Sequence, residues 1–167
     1  MNFNNINVLG EIMNIFVLSK DPIEAAQMQC DKHVVKMVLE TAQMLCAAFP
    51  KGTAPYKQTH INHPSTVWSR QSRANYEWLI AHGYALSDEY TSRYGRQHKS
   101  LAAIKWCKDN IGSLTFPEQG LTEIPQCMPD MYKSDDVVEA YRKYYKNDKS
   151  AIAKWNKNRE MPTWFGN

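Results

Sequence analysis

Apolar residues recur at intervals of three and four through residues 22–49, and this periodicity predicts a long amphipathic helix. Its start is marked by Asp21-Pro22-Ile23-Glu24, in which a capping carboxylate precedes a proline at the first helical position. Pro50-Lys51-Gly52 predicts its end. Residues at helical spacing form one mainly apolar face (Cys30, Val34, Met37, Thr41, Met44, Ala48) and one entirely polar face (Gln29, His33, Lys36, Glu40, Gln43).

The same pattern predicts four further helices. A second long helix begins at Asn62-His63-Pro64 and ends near Tyr94, where Gly95 supplies a left-handed stop. Shorter helices are predicted over residues 99–110, from a cap at 134–136 to Tyr145, and over 149–158. Residues 113–133 contain three prolines and predict an irregular connection. Since no strands alternate with these helices, the predicted fold is all-α, a compact single-domain helical bundle.

The sequence changes character at Met13, which separates an N-terminal segment from the rest of the chain. Residues 1–12 are rich in asparagine and weakly patterned, so we expect an N-terminal extension that is separable from the core. Residues 14–18 read as a short strand or as an extended buried arm, and residues 13–167 as the single helical domain. Met13 is an alternative start of the chain, and the sequence leaves open whether Met1 or Met13 is used.

Composition narrows the class of protein. No apolar run approaches the roughly 18 residues that a membrane span needs, and the N-terminus lacks the pattern of a secretory leader. The four cysteines stand far apart without a CxxC pair, which is typical of reduced thiols in a cytoplasmic protein. Cys30 and Cys46, predicted to share one straight helix, lie too far apart to bridge. The oligomeric state stays open.

Charge is unevenly placed although the net charge is only +3. Between residues 141 and 159 there are seven basic residues and one acidic residue, interspersed with aromatic residues. Basic and aromatic side chains together suit phosphate backbones and unstacked bases, whereas the plainer alternative is a solvated basic face. The candidates for contact with nucleic acid in this stretch are Arg142, Lys143, Lys146 and Trp155.

The polar face of the first helix carries the first candidate site. A carboxylate near lysines and a histidine can shift their pKa values, as acid–base chemistry requires. The alternative is a solvated face with a Lys36–Glu40 pair. Asp31 falls toward the apolar side, where a carboxylate needs a basic partner from another helix. The candidate catalytic residues are Asp31, Lys32, His33, Lys36 and Glu40.

The start of the second helix carries another candidate site. Two histidines beside the free N–H groups of a helix N-terminus predict an anion site, with phosphate as the ligand. Two alternatives stay open, namely a metal held by His60 and His63, for which no third ligand is evident, and His63 as a simple cap. No cofactor-binding motif is present, so no cofactor or metal is expected. The predicted phosphate-binding residues are His60, Asn62, His63, Arg70 and Arg73.

The second long helix also places polar residues on its inward face, which favours either a hydrogen-bonded network or a lined pocket. The inward polar residues are Ser72, Asn75, His82 and Glu89.

Several segments from Met13 onward resemble a family of small phage and bacterial proteins. This resemblance implies no particular activity. These segments are CDKHVVKM (30–37), NHPSTVW (62–68), EYTSRYG (89–95), AYRKYY (140–145) and AKW…MPTWF (153–165). More remotely, the chain is similar to the pyrimidine-dimer DNA glycosylases of the endonuclease V type. The shared features are a short N-terminal segment, a carboxylate-bearing helix, a central helix after a histidine-bearing loop, and a basic aromatic C-terminus with Pro162-Thr163-Trp164.

That resemblance implies a compact all-α monomer whose N-terminal α-amine attacks the sugar C1′, assisted by an acidic residue, with arginines on phosphates. The acidic role is carried over to Glu24 or Glu40, without a choice between them. The sequence departs from the family at the amine. Asn14 is a poor residue for removal of a preceding methionine, and residues 1–12 block an amine at position 14. Lys32 or Lys36 is the candidate replacement amine.

Taken together, these features predict an enzyme that acts on nucleic acid, such as a DNA base or pyrimidine-dimer glycosylase/lyase. Trp68, Tyr144 and Trp155 are its candidate wedges for reaching an unstacked base. The alternatives are a non-catalytic protein that sequesters a nucleotide or anion, and a DNA- or RNA-binding accessory protein. The prediction depends on whether the two candidate sites, from Asp31 and His33 to His60, His63 and Arg73, meet in one pocket.

Overall fold

The computed structural model describes residues 13–166, which confirm the predicted all-α fold and contain no β-strand. The predicted N-terminal extension lies outside the described residues. Six α-helices follow one another as α1 (Pro22–Met28), α2 (Asp31–Cys46), α3 (Pro64–Gln71), α4 (Arg73–Tyr94), α5 (Leu101–Asp109) and α6 (Val137–Asp148). Two short 3-10 turns, Ile111–Ser113 and Asp130–Tyr132, lie in the irregular connection between α5 and α6. Within the described part of the chain, no helix has the length and apolar character needed to cross a membrane.

Helix α4 is the centre of the bundle, since it packs against α1, α2, α3 and α5. The close approach of α2 and α5 depends on Gly83 of α4. A Cβ atom at this position would lie 2.9 Å from Cγ2 of Thr41 and 3.0 Å from Cδ1 of Ile104. The missing side chain therefore lets three helices meet at one point of the core.

Replacement of Gly83 by leucine is expected to lower the free energy of unfolding by about 1–3 kcal/mol, because the added atoms overpack this contact. Urea denaturation followed by circular dichroism measures the effect. Gly120→Leu is the matched control, since nothing lies within 4 Å of a Cβ atom at that position. Equal stability of the two variants would show that α2 and α5 move apart without cost.

The predicted helix over residues 22–49 is wrong as a single element, because it breaks between α1 and α2. Gln29 and Cys30 are extended, with ψ angles of 143° and 163°. Groups from distant parts of the chain donate hydrogen bonds to the main-chain carbonyls at the break. Arg93 donates to the carbonyls of Gln27 and Gln29, and the indole of Trp155 donates to that of Met28. These partners come from α4 and from the C-terminal residues, so local sequence could not reveal the break.

The second predicted long helix also divides, at Ser72. The hydroxyl of Ser72 accepts the N–H of Asn75 and so caps α4. The main chain on both sides of the break pairs with residues 118 and 119, since Glu118 N donates to Gln71 O at 3.2 Å, Arg73 N to Glu118 O at 3.0 Å and Ala74 N to Gln119 O at 3.1 Å. The irregular connection therefore docks on the kink between α3 and α4.

The predicted helix over residues 149–158 does not form. The main chain there forms hydrogen bonds with the start of α2 instead. Lys154 O accepts the N–H of Asp31, and Asn156 N donates to the carboxylate of Asp31 at 2.8 Å. The following tail packs on the core through Trp164 and Phe165, as its apolar character predicts.

The four cysteine thiols are free and buried, and the Sγ atoms of Cys46 and Cys107 lie 3.6 Å apart.

Candidate active site

The polar face of α2 is not a solvated surface, because part of it lies beneath the N-terminal segment 13–18. His33 and Glu40 are each only 5% exposed, whereas Lys32 and Lys36 reach solvent. The main-chain N–H of Asn14 donates to Oε1 of Glu40 at 3.2 Å. Segment 13–18 is a buried arm rather than a strand, and it holds the nitrogen of residue 14 against a buried carboxyl group.

Burial raises the pKa of Glu40 from 4.5 to about 7, although the charges of Lys36 and Lys149 and the N–H of Asn14 oppose the shift. Nζ of Lys36 lies 3.6 Å from Oε2 of Glu40, with its side chain 55% exposed. A carboxyl group with a pKa near neutrality is able both to take up and to release a proton at physiological pH. The Glu40 site therefore has the protonation behaviour that acid–base chemistry needs.

The side chain of Asn14 fixes the segment that covers Glu40. Its Oδ1 accepts the N–H groups of Ile15 and Phe16, and its Nδ2 donates to the carbonyl of Cys127 at 2.9 Å. Phe16 has a left-handed φ of 57°, which is uncommon for a bulky residue. Its ring stacks on His33 at 4.3 Å and contacts three tyrosines of α6, and these contacts hold the backbone in this conformation.

His33 is a packing and hydrogen-bonding residue of this site. Its Nδ1 lies 2.7 Å from the hydroxyl of Tyr145. Burial, together with the charges of Lys149 and Lys36, lowers the pKa of His33 from 6.5 to about 3. The imidazole is therefore neutral at physiological pH and supports Phe16, while Glu40 is the group that titrates near pH 7.

Asp31 belongs to a different environment. Its Oδ1 lies 3.2 Å from Nη1 of Arg93, whose Nε donates to Glu89 at 2.9 Å, and Arg159 pairs with the same glutamate. The prediction that a basic residue from another helix pairs with Asp31 is confirmed. This ion-pair network joins α2, α4 and the C-terminal residues, so we assign Asp31 to it rather than to the Glu40 site.

The start of α3 lies close to Asn14, although its histidines do not form a cluster. Nδ1 of His63 accepts the N–H of Ser65, so His63 is the cap of α3, while His60 and Asn62 are exposed in the preceding loop. The hydroxyl of Ser65 lies 3.3 Å from Sγ of Cys127, whose carbonyl binds Asn14. Among residues 13–166, no group of three histidine, cysteine or acidic side chains is placed to hold a metal ion.

The residues predicted to contact nucleic acid fall into two groups, those that bind other parts of the chain and those that are exposed or line a cleft. Arg142 donates to the carbonyl of Leu18, and the indole of Trp155 donates to that of Met28, so both hold the fold together. Arg73 is exposed and pairs with Glu77 of its own helix. Lys143 and Lys146 are exposed on α6, and Arg70 lines a cleft beside α3.

Two of the three predicted wedges are core residues. Trp68 is 2% exposed and Tyr144 is 3% exposed, which corrects the expectation that they project toward DNA. Trp155 is partly buried and packs on Phe165. The candidate residues on which the prediction depends do not meet in one pocket, since Asp31 lies in the ion-pair network, His33 beneath Phe16, and Arg73 on an exposed face of α4.

The inward polar residues of α4 form hydrogen-bonded contacts, as one of the two predicted alternatives requires. Asn75 binds the carbonyl of Trp68 and both the N–H and the hydroxyl of Thr122. Nδ1 of His82 lies 2.9 Å from the carbonyl of Pro22, and burial lowers the pKa of this histidine to about 4. Glu89 lies in the ion-pair network. These side chains tie α4 to its neighbours and do not line a pocket together.

The model of the pyrimidine dimer DNA glycosylase family matches residues 13–102, which is just over half of the chain. The chain belongs to the pyrimidine dimer DNA glycosylase family. The remote resemblance seen in the sequence is thereby confirmed, and membership implies glycosylase-type action on DNA. The matched residues include Asn14, Glu40 and the start of α3, whereas α6 and the C-terminal residues lie outside the match. Neither the curated proteins nor the solved structures compared with this chain gave a match.

Within this family assignment, the structure distinguishes the two candidate carboxylates. Glu24 is exposed in the first turn of α1, whereas Glu40 is buried against the nitrogen of Asn14. Asn14 is a residue of this site that was not predicted from the sequence, in which it appears only as a departure from the family. Its position directly after Met13 was the available signal, because the resemblance puts the reacting amine next to the start.

Proposed function

We propose that this chain is a glycosylase with lyase activity that removes a pyrimidine dimer base from DNA at the site formed by Asn14 and Glu40. The observation that carries the proposal is the main-chain nitrogen of residue 14 held 3.2 Å from a buried carboxyl group whose pKa is about 7. The family supplies the class of substrate. Glu40 supplies a proton acceptor and donor beside the position where the resemblance places the reacting amine.

The proposed chemistry joins an amine nitrogen to the sugar C1′ and breaks the bond from C1′ to the base. One proton of the attacking amine passes to Glu40, and Glu40 returns a proton to the departing base. The C1′–O4′ bond of the sugar ring then breaks, O4′ takes up the second proton of the amine nitrogen, and an imine forms between the protein and C1′. Such an imine is reduced by borohydride to a stable covalent adduct, so the nucleophile is directly identifiable.

Residue 14 is the amine that the geometry favours. In the full chain its nitrogen belongs to a peptide bond and is not a nucleophile, so the proposal requires removal of the residues before it. Lys36 is the alternative amine, because its Nζ lies 3.6 Å from the same carboxyl group. Lys32 is exposed on the first turn of α2, and no contact of Lys32 with Glu40 is found among residues 13–166.

Borohydride trapping on duplex DNA that contains a pyrimidine dimer tests the proposal. We expect an adduct from protein prepared with Asn14 as its first residue, and expect mass spectrometry to place it on that residue. The full chain is expected to give none. Lys36→Ala should leave the adduct unchanged, and Lys32→Ala is the matched control because that lysine is exposed on the same helix.

An adduct of the full chain that disappears with Lys36→Ala would move the nucleophile to Lys36 and keep Glu40 in its role. Absence of an adduct from every protein would contradict the proposal. In that case the non-catalytic alternative predicts a nucleotide or anion that raises the melting temperature without any product.

A further inference from the structure

Arg70 differs from the other arginines of the chain in having no hydrogen-bond acceptor among the described residues. All six arginines lie within the described residues. No residue between 13 and 166 accepts a hydrogen bond from it or forms an ion pair with it, and its Nη1 is buried without a partner. The other five all find acceptors, which are Glu77 for Arg73, Glu89 for Arg93 and Arg159, Tyr90 for Arg96 and the Leu18 carbonyl for Arg142.

Arg70 lies in a cleft of about 330 Å³ between α3 and residues 114–117. It is the only charged residue in the lining, whose walls are mostly apolar and include Val67, Leu114 and Phe116. Apolar walls lower the local dielectric, so a charge that enters the cleft interacts with the guanidinium more strongly than it would in water. No carboxylate of the described chain occupies this position.

A structural role does not account for this arrangement. Arg70 lies in the last turn of α3, where a cation interacts favourably with the helix dipole. That interaction leaves the N–H groups without acceptors, and partly buried polar groups without acceptors are costly. The planar fork of a guanidinium matches the paired oxygens of a phosphate, which would supply the missing acceptors.

We propose that this cleft binds a phosphate group and that the phosphate belongs to the backbone of the DNA substrate. The apolar walls suit the attached sugar. Ser65, near the start of α3, neighbours Cys127 and through it Asn14. Arg70 follows Ser65 by five positions, or about 7.5 Å along the helix axis, which is about two nucleotide steps of a strand. The choice of DNA as the phosphate source rests on the proposed function.

Binding of an undamaged, fluorescently labelled duplex by the full chain, measured between 50 and 200 mM salt, tests this proposal. Loss of one phosphate contact in Arg70→Gln should weaken binding about tenfold at low salt and reduce the slope of log K against log salt by about 0.9. Arg96→Gln is the matched control, because it removes the same charge from an exposed arginine that bonds Tyr90. We expect this control to change affinity less than twofold.

Melting temperature separates binding from folding. Because Arg70 has no acceptor in the described chain, Arg70→Gln should melt at the same temperature as the parent or higher. A clearly lower melting temperature would show a structural role and overturn the proposal. Arg70→Lys keeps the charge without the fork, so it should retain most of the salt slope.

A second ligand distinguishes the source of the phosphate. If thymidine monophosphate raises the melting temperature of the parent and not of Arg70→Gln, while duplex binding is the same in both, the phosphate site stands and its ligand is a free nucleotide. If neither ligand distinguishes the two proteins, the proposal is overturned. Undamaged DNA is not turned over, so this result is independent of borohydride trapping, and either proposal can fail alone.

Discussion

Glu40→Gln is expected to lower the rate of base removal from dimer-containing DNA by about 10²- to 10⁴-fold, the usual contribution of a group that transfers protons in the transition state. Glutamine keeps the size of the side chain and its ability to accept the N–H of Asn14, but it cannot exchange a proton at neutral pH. Single-turnover release of the base by the protein that begins at Asn14 measures the effect. Glu24→Gln is the matched control, because this exposed carboxylate is the other candidate that the family resemblance left open.

The free energy of unfolding of the same variant, compared with that of the parent at several pH values, excludes unfolding as the cause of lost activity. Because the pKa of Glu40 is raised from 4.5 to about 7, its contribution to stability is complete below pH 4.5 and is lost as the pH rises through 7. Measured in the full chain, where the nitrogen of Asn14 is a peptide nitrogen, Glu40→Gln should therefore gain roughly 3 kcal/mol relative to the parent between pH 4.5 and pH 8. A variant that is inactive and also less stable at pH 8 would contradict the assignment.

Arg93→Met is expected to lower the free energy of unfolding by about 3–5 kcal/mol, because it leaves buried carboxylates without their main partner. The guanidinium contacts Asp31, Glu89 and two main-chain carbonyls at the break between α1 and α2, and its side chain is completely buried. Urea denaturation followed by tryptophan fluorescence measures the loss. A domain of this size is typically stable by 5–15 kcal/mol, so the variant loses a large share of its stability.

Arg96→Met controls for the loss of an arginine in the same region, since Arg96 is exposed and forms one hydrogen bond with Tyr90. Its effect should stay below about 0.5 kcal/mol. Arg93→Lys should recover only part of the loss, because a single ammonium group cannot reach all four acceptors. If Arg93→Met were as stable as the parent, the ion-pair network would not be what fixes α2 against α4.

The sequence by itself determined the helical fold and several helix ends. Asp21, His63 and Gly95 mark helix ends as predicted, because each acts on main-chain groups within a few residues of itself. The need of Asp31 for a basic partner was predictable from the apolar face on which it falls. The resemblance to the pyrimidine dimer DNA glycosylases was visible in the order of the N-terminal segment, the carboxylate-bearing helix, the histidine-bearing loop and the basic aromatic C-terminus, and the family match confirms it.

Tertiary structure alone decided where the helices break and which carboxyl group is buried. Gln29 and Cys30 leave the helix because groups more than 60 residues away bind the main chain around them. Glu40 and Lys36 share one polar face in the sequence, yet segment 13–18 buries the first and leaves the second exposed. Helical periodicity gives the direction of a side chain but not what covers it, and the pKa of Glu40 depends on that cover.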